Sequence, residues 1–309
     1  MNFYSLIPII ITIISFVVMK KKCQGFIKNW ISGSRPLISI HYLFPTIFGI
    51  LLGNYIFQKP VNYLDGFLLI CSVFFSFQTS VIVNDINDIK TDKIALKKSL
   101  LNSNYFGLKV YQNLGGYFFI LSLLFALVIE YRILLIVLLG HILHFTYSSK
   151  PFRLKRFFPV SILMLALGAL LSAISGYALF ESSKPFLSFP IKPALFIVIP
   201  LFLALNFRDL ADYRGDEKTD VTTLFTLFGL GKGRLINAFL VLLGYLSVPL
   251  ILKFPPLFFA VVPLGILSFY FCLKKPFKEK YIFYIYFILI AILLIIFKLN
   301  PEIYLGPVF

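Results

Sequence analysis

Hydrophobic residues fall along this chain in long blocks, not in alternation or narrow stripes. Ten blocks, bounded by charged residues or by Pro and Gly, cover residues 3–19, 36–57, 65–83, 110–129, 133–147, 158–180, 193–207, 235–252, 255–273 and 281–298. A helix needs about 20 apolar residues to cross the hydrocarbon of a bilayer, and a packed or interrupted one needs fewer. The pattern predicts an all-α polytopic membrane protein with nine membrane-crossing helices from 36–57 onward and residues 3–19 as an additional, weaker span. That first block reads as an N-terminal anchor. Lys20-Lys21-Lys22 follows the apolar stretch instead of preceding it, and no small-residue cleavage site is evident. The expected organisation is a hydrophobic anchor and basic linker over 1–29 and one intramembrane domain over 30–309.

Composition agrees with the blocks. Of 309 residues, 59% are hydrophobic and 14% charged, and the mean hydropathy is +0.91. A soluble domain averages about 45–50% apolar and about 25% charged residues. These values exclude a soluble enzyme, a disordered chain and a collagen-like fibre.

The net charge of +16 would point to nucleic acid in a soluble chain. No basic segment here is long enough for such a module, so no nucleic-acid partner is expected. The positions of the charges carry topology instead. Of the 29 Lys and Arg residues, 23 lie in the linker 20–35 or in the loops after the second, fourth, sixth and eighth core spans. Positive charge gathers on the cytoplasmic side, which places those loops there and supports the span count. Cys23, Cys71 and Cys272 form no CxxC pair, so neither a disulfide framework nor a zinc site is supported. His41, His141 and His144 lie in apolar blocks and read as packed or cavity-facing. The alternative for His141 and His144, three apart, is a metal pair.

The acids are gathered. Eight of 13 lie in two segments, 83–92 and 208–220, at the ends of the second and sixth core spans. Asp85, Asp88 and Asp92 step by three and then four, and Asp209, Asp212 and Asp216 repeat the spacing. On a helix those steps place three carboxylates on one face. Four spans separate the motifs, so both emerge on the cytoplasmic side, where two acidic faces can meet at one cavity mouth. Asp65, Glu130, Glu181, Glu279 and Glu302 are isolated and read as solvated.

Acids at a helix C-terminus oppose the macrodipole, and clustered carboxylates repel one another. A divalent cation relieves both, and an oxygen-only donor set selects a hard ion such as Mg²⁺, which shares its shell with substrate phosphates. Six carboxylates, two Mg²⁺ and a diphosphate still leave about −5, so nearby cations are required. Lys90, Lys93, Arg208, Arg214 and Lys218 are interleaved with the acids, and Lys150, Arg153, Lys155 and Arg156 follow the fourth core span. The alternative role for these basic residues is lipid head-group contact.

Asn84-Asp85-x-x-Asp88-x-x-x-Asp92 resembles the first motif, and Asp209-x-x-Asp212-x-x-Gly215-Asp216 the second, of the UbiA-type intramembrane prenyltransferases. Thr223 to Gly229 resembles the stretch that follows the second motif. Tyr147 to Lys155 is similar to the family's basic loop, and Ser34-Arg35-Pro36 to its usual opening. The resemblance spans about residues 30–300. One departure is Lys97-Lys98-Ser99-Leu100 where many members carry Arg-Pro, with Lys97 or Lys98 in the arginine's place.

The resemblance implies nine helices around a central cavity capped on the cytoplasmic side. It implies Mg²⁺-dependent transfer of a prenyl group from a polyprenyl diphosphate to a lipophilic, often aromatic, acceptor, with pyrophosphate released. By matching position, Asn84, Asp85, Asp88, Asp92, Asp209, Asp212 and Asp216 would hold Mg²⁺, with Asp85, Asp88, Asp209 and Asp212 central to catalysis. Arg35, Asn84, Tyr147, Arg153, Lys155 and Arg208 would bind substrate. Two other readings of the residues are a cation-dependent transporter with the Asp motifs as its ion site, and a non-catalytic scaffold. Transporter sites usually lie near the bilayer midplane, whereas these acids lie at span ends.

Overall fold

The structure, a computed structural model, describes residues 3–22, 25–94, 101, 106–219 and 221–306; Cys23, Lys97, Lys98 and Asp220 lie outside the described residues. Among the described residues regular structure is entirely helical. Ten helices are long and apolar enough to cross a membrane, Tyr4–Lys21 first among them, and they fall on the ten blocks of the pattern. The chain forms two compact units, Met1–Arg153 with Leu171–Phe186, and Leu154–Leu170 with Leu187–Phe309.

The first unit contains α1 (Ile7–Lys22), α2 (Phe26–Gly33), α3 (Pro36–Phe57), α4 (Tyr63–Asn87), α5 (Ile89–Ile94), α6 (Leu108–Leu127) and α7 (Tyr131–Ser148). It also takes the second half of α8 (Val160–Tyr177), whose first half belongs to the other unit. Helix α4 is the centre, packed by α3, α6 and α7. Asn62 caps its start, accepting a hydrogen bond from the Leu64 amide at 3.1 Å. Leu68, Phe75 and Ile82 recur every seven residues and bury against Leu114, Phe118, Leu121 and Phe125 of α6. That spacing returns to one helix face. The extra helix α1 docks through aromatic rings, edge-on to Trp30 and stacked on Phe118. Phe16 lies 5.1 Å from Trp30 and 6.5 Å from Phe118, centroid to centroid. Only 11% of its apolar window is buried inside the protein, so the rest is suited to lipid.

Helix α3 and the end of α8 approach almost backbone to backbone. A Cβ on Gly49 would stand 1.9 Å from the Ala173 carbonyl oxygen, and one on Gly176 would stand 2.2 Å from that of Thr46. In lipid, where apolar contact alone drives no association, such close approach supplies the dispersion contact between helices.

The second unit continues from α9 (Pro185–Ser188), which straddles the boundary, through α10 (Ile191–Ala204), a 3-10 turn Leu205–Leu210, and α11 (Tyr213–Lys218). It ends with α12 (Leu224–Leu252), α13 (Phe258–Leu273) and α14 (Glu279–Leu299). Helix α12 packs on α10 and α13. It begins well before residue 235 because a reciprocal capping box between Thr223 and Thr226 starts it. Gly229, at φ 74° and ψ 159°, is not helical, so the short capped piece 224–228 and the long helix after it meet at a kink. At its other end the buried Lys192 donates to the Leu252 carbonyl at 3.2 Å, placing a cation at the negative end of the helix dipole.

Gly49→Val and Gly176→Val each force the α3–α8 backbones apart. A loss of at least about 2 kcal/mol is expected from such overpacking, read as a lower melting temperature in lipid nanodiscs, while Gly116→Ala, with open space around it, leaves the melt unchanged.

Candidate functional site

Each aspartate motif lies where a long apolar helix gives way to a short one. In the first, Asn84 and Asp85 occupy the last turn of α4, Asp88 follows it at φ −103° and ψ 7°, and Asp92 lies in α5. In the second, Arg208 and Asp209 end the 3-10 turn, Asp212 precedes α11 at φ −96° and ψ −3°, and Asp216 lies in α11. The spacing alone predicts one continuous helix with three carboxylates on one face. The structure instead bends both segments at the middle aspartate, which takes the sparsely allowed bridge conformation common at active sites. Main-chain hydrogen bonding continues through the bends. Asp88 N donates to Asn84 O at 2.9 Å and Asp92 N to Asp88 O at 2.8 Å. Asp212 N donates to Asp209 O at 3.2 Å and Asp216 N to Asp212 O at 3.0 Å.

In the first unit Asp85, Asp88 and Asp92 are all buried; Asp85 and Asp88 are paired, while Asp92 Oδ2 makes no hydrogen bond. Asp85, 3% exposed, receives the Arg35 guanidinium on Oδ1 and the Tyr111 hydroxyl on Oδ2 at 2.9 Å. Arg153 Nη2 donates to Asp88 Oδ1 at 3.1 Å. Ser148 donates to Asn84 Oδ1 at 3.4 Å, and Asn87 donates to Ser149 Oγ at 3.2 Å. These bonds fasten the end of α7, where half-buried Tyr147 sits, to the end of α4. The interleaved Lys90 and Lys93 are exposed; the paired arginines come from 50 and 65 residues away.

Both arginines sit in the left-handed region, Arg35 at φ 50° and Arg153 at φ 42°. Non-glycine residues rarely persist there unless the surroundings hold them. Arg153 N donates to Ser149 O at 2.7 Å. The Arg35 turn is held by Ser39, which donates to Ser34 O at 2.7 Å, and by Gln78.

In the second unit Asp216 is buried while Asp209, Asp212 and Arg208 are half-buried. The segment after the motif is tied down locally. Thr219 Oγ1 donates to Gly215 O at 2.8 Å, and Val221 N to Asp216 O at 3.2 Å. Thr222 N donates to Arg156 O at 2.9 Å, joining the short 3-10 turn Leu154–Arg156, which carries Lys155, to the end of the second motif. On the outside of α11, Tyr213 donates to Glu217 at 2.7 Å, and that bond raises the phenol's pKa.

Among the described residues no three His, Cys, Asp or Glu side chains converge as a self-contained metal cage. The donors that are present still suit Mg²⁺, which takes one or two carboxylates and completes its shell from water and substrate phosphates. One buried atom also asks for an anion: Arg153 Nε has no hydrogen-bond partner. His141 is a packed residue, its Nε2 2.7 Å from Ser122 Oγ and its ring 4.6 Å from Phe119. Sequence reasoning missed Tyr111, Ser148 and Ser149 as partners of the first motif and Gln78 as a partner of the Arg35 turn. Gln78 left a readable signal, an amide inside an apolar block seven residues before Asp85. Tyr111 left none, because its aromatic body fits an apolar block whatever its hydroxyl does.

The fold and the two bent motifs define a polytopic helical membrane protein with paired aspartate-rich segments. Residues 42–299 match the model of the UbiA prenyltransferase family, and the chain belongs to that family, as an integral multi-pass membrane protein. Among solved structures, a UbiA homologue from Archaeoglobus fulgidus bound to GPP and Mg²⁺ matches with a TM-score of 0.63 at 18% identity, over 85% of this chain and 96% of that one. A digeranylgeranylglyceryl phosphate synthase matches with a TM-score of 0.54 at 22% identity, over 90% and 96%. The apo UbiA homologue from Aeropyrum pernix K1 matches with a TM-score of 0.62 at 15% identity, over 83% and 97%. No curated protein sequence matches the chain.

Removing one partner of a buried ion pair strands the other charge. Arg35→Leu is expected to cost about 2 kcal/mol, and the double change Arg35→Leu with Asp85→Leu to recover most of it, both read from thermal unfolding in nanodiscs.

Proposed function

We propose that the chain transfers a prenyl group from a polyprenyl diphosphate to a lipophilic, aromatic acceptor within the membrane, in an Mg²⁺-dependent reaction that opens on the cytoplasmic side. The observation that carries this reading is the repeated geometry of the two motifs within a UbiA-family chain. In each, one carboxylate precedes a bend, one sits at it and one follows it. The homologue that carries GPP with Mg²⁺ supports the same donor chemistry.

On this reading Asn84, Asp85, Asp88 and Asp92, with Asp209, Asp212 and Asp216, would hold the metal. When bound, Mg²⁺ neutralises charge developing on the leaving diphosphate. Arg35 and Arg153 keep the carboxylates in place while offering further N–H donors to diphosphate oxygens, because a guanidinium carries five. Arg153 Nε, buried and unbonded, is such a donor. Lys155 and Arg208 would add positive charge for the substrate, and Tyr147 would orient it. Tyr111 holds Asp85 Oδ2 and so fixes which lone pairs the carboxylate presents. The apolar helices keep water from the allylic cation formed when the C–O bond ionises, so that the acceptor captures it. Aromatic faces stabilise such a cation by about 0.5–2 kcal/mol each.

The test uses purified protein in nanodiscs with geranyl diphosphate, Mg²⁺ and a panel of acceptors, products being read by mass spectrometry. Asp85→Asn and Asp209→Asn should each lower turnover by about a hundredfold or more, the scale of losing a transition-state electrostatic contact. Chelation should abolish product and added Mg²⁺ restore it. Wild-type turnover in either variant, or product without a divalent cation, overturns the assignment. Cation flux in proteoliposomes with no prenylated product favours transport instead.

A further inference from the structure

Beneath the Arg35–Asp85 pair lies a second polar contact that prenyl transfer itself does not require. Gln78 lies on α4 seven residues before Asp85, on the same helix face, and is 2% exposed. Its Nε2 donates to Ser39 Oγ at 3.0 Å and to Ser34 O at 3.3 Å. Ser39, 4% exposed, donates in turn to Ser34 O at 2.7 Å and Arg35 O at 3.2 Å. The acceptors matter. Ser34 O and Arg35 O belong to the two peptide groups that flank the Arg35 Cα. The orientation of those two planes is what φ and ψ of Arg35 describe, and here they are 50° and 62°. A buried glutamine serving only as interhelical glue has no need to bond Ser34 O together with the one serine hydroxyl that reaches both carbonyls.

We infer that Gln78 and Ser39 are positioning residues, which hold Arg35 in its left-handed conformation so that its guanidinium faces Asp85 and an arriving diphosphate. Arg35 precedes Pro36, so on relaxing it turns toward the extended backbone that a residue before proline prefers, and its guanidinium leaves Asp85. The inference rests on the diphosphate reading above and adds residues that sit outside both aspartate motifs and contact neither metal nor substrate in it.

The experiment uses the full chain in nanodiscs as wild type, Gln78→Leu and Ser39→Ala, each also in an Arg35→Ala background. The probes are inorganic pyrophosphate with Mg²⁺, titrated calorimetrically, and geranyl diphosphate turnover. Gln78→Leu should weaken Mg²⁺–pyrophosphate binding by about tenfold, the scale of one lost buried hydrogen bond. KM for geranyl diphosphate should rise in step while kcat changes by less than about twofold. In the Arg35→Ala background the same change should have no further effect on binding. Backbone exchange reports independently of any ligand. The amides of Ile38 and Ser39, which donate to Arg35 O at 3.0 and 2.9 Å, should exchange faster in Gln78→Leu while those of α4 do not. Unchanged binding, or an equal loss with and without Arg35, overturns the inference. If wild type binds no Mg²⁺–pyrophosphate, the transfer reading fails, and exchange at residues 38 and 39 alone decides the positioning, unchanged exchange sinking it. Ser39→Ala carries the same readouts should Gln78→Leu not fold.

Discussion

A carboxylate buried at the end of an apolar helix has to find a cation. Asp85 ends a 25-residue helix that is otherwise suited to hydrocarbon, and the helix dipole adds its own negative end at that place. Left alone, such a charge costs several kcal/mol. Arg35 meets the requirement, and much of the first unit is arranged to bring it there. The chain enters α3 through a left-handed residue, Ser39 bonds the carbonyls on either side of it, Gln78 bonds the first of them, and Tyr111 of α6 takes the second carboxylate oxygen. Arg153 does the same for Asp88 from the end of α7. The ion pairs therefore join the ends of several helices at one level, and the apolar contacts below them need only set the spacing.

The bend at the middle aspartate is the second constraint. A straight helix repeats carboxylates at three and four residues along one face, all pointing the same way. Turning ψ to about zero at Asp88 and at Asp212 re-aims the carboxylate that follows while main-chain hydrogen bonds continue. Little stability is lost, because few backbone groups are left unsatisfied in a region with limited access to water. The same solution in both units suggests a shared chemical demand, oxygen ligands offered from more than one direction.

Arginine suits this setting better than lysine. Its planar fork satisfies a carboxylate and still has donors to spare, and it is less strongly hydrated. Its permanent charge compensates the buried carboxylates without any other cation, and Arg153 Nε is buried with no hydrogen-bond partner.

Much was legible along the chain. The ten apolar blocks fixed the ten helices, because a hydrocarbon solvent demands long uninterrupted helical runs. The spacing of the acids marked both motifs, and their resemblance to the UbiA-type family named the family that the chain belongs to. Limits came wherever the backbone departs from the regular helix that periodicity assumes. The bends at Asp88 and Asp212, the left-handed arginines and the kink at Gly229 have no period to read. Partner choice was equally hidden. Lys90 and Lys93 lie nearest to the first motif in sequence, yet Arg35 and Arg153 hold its aspartates, because helix packing, not chain distance, sets which charges meet. Sequence by itself determined how many helices are long and apolar enough to cross a membrane and where the acids lie at their ends. Tertiary structure decided which cation each buried acid receives, since only packing brings together residues 50 and 65 positions apart.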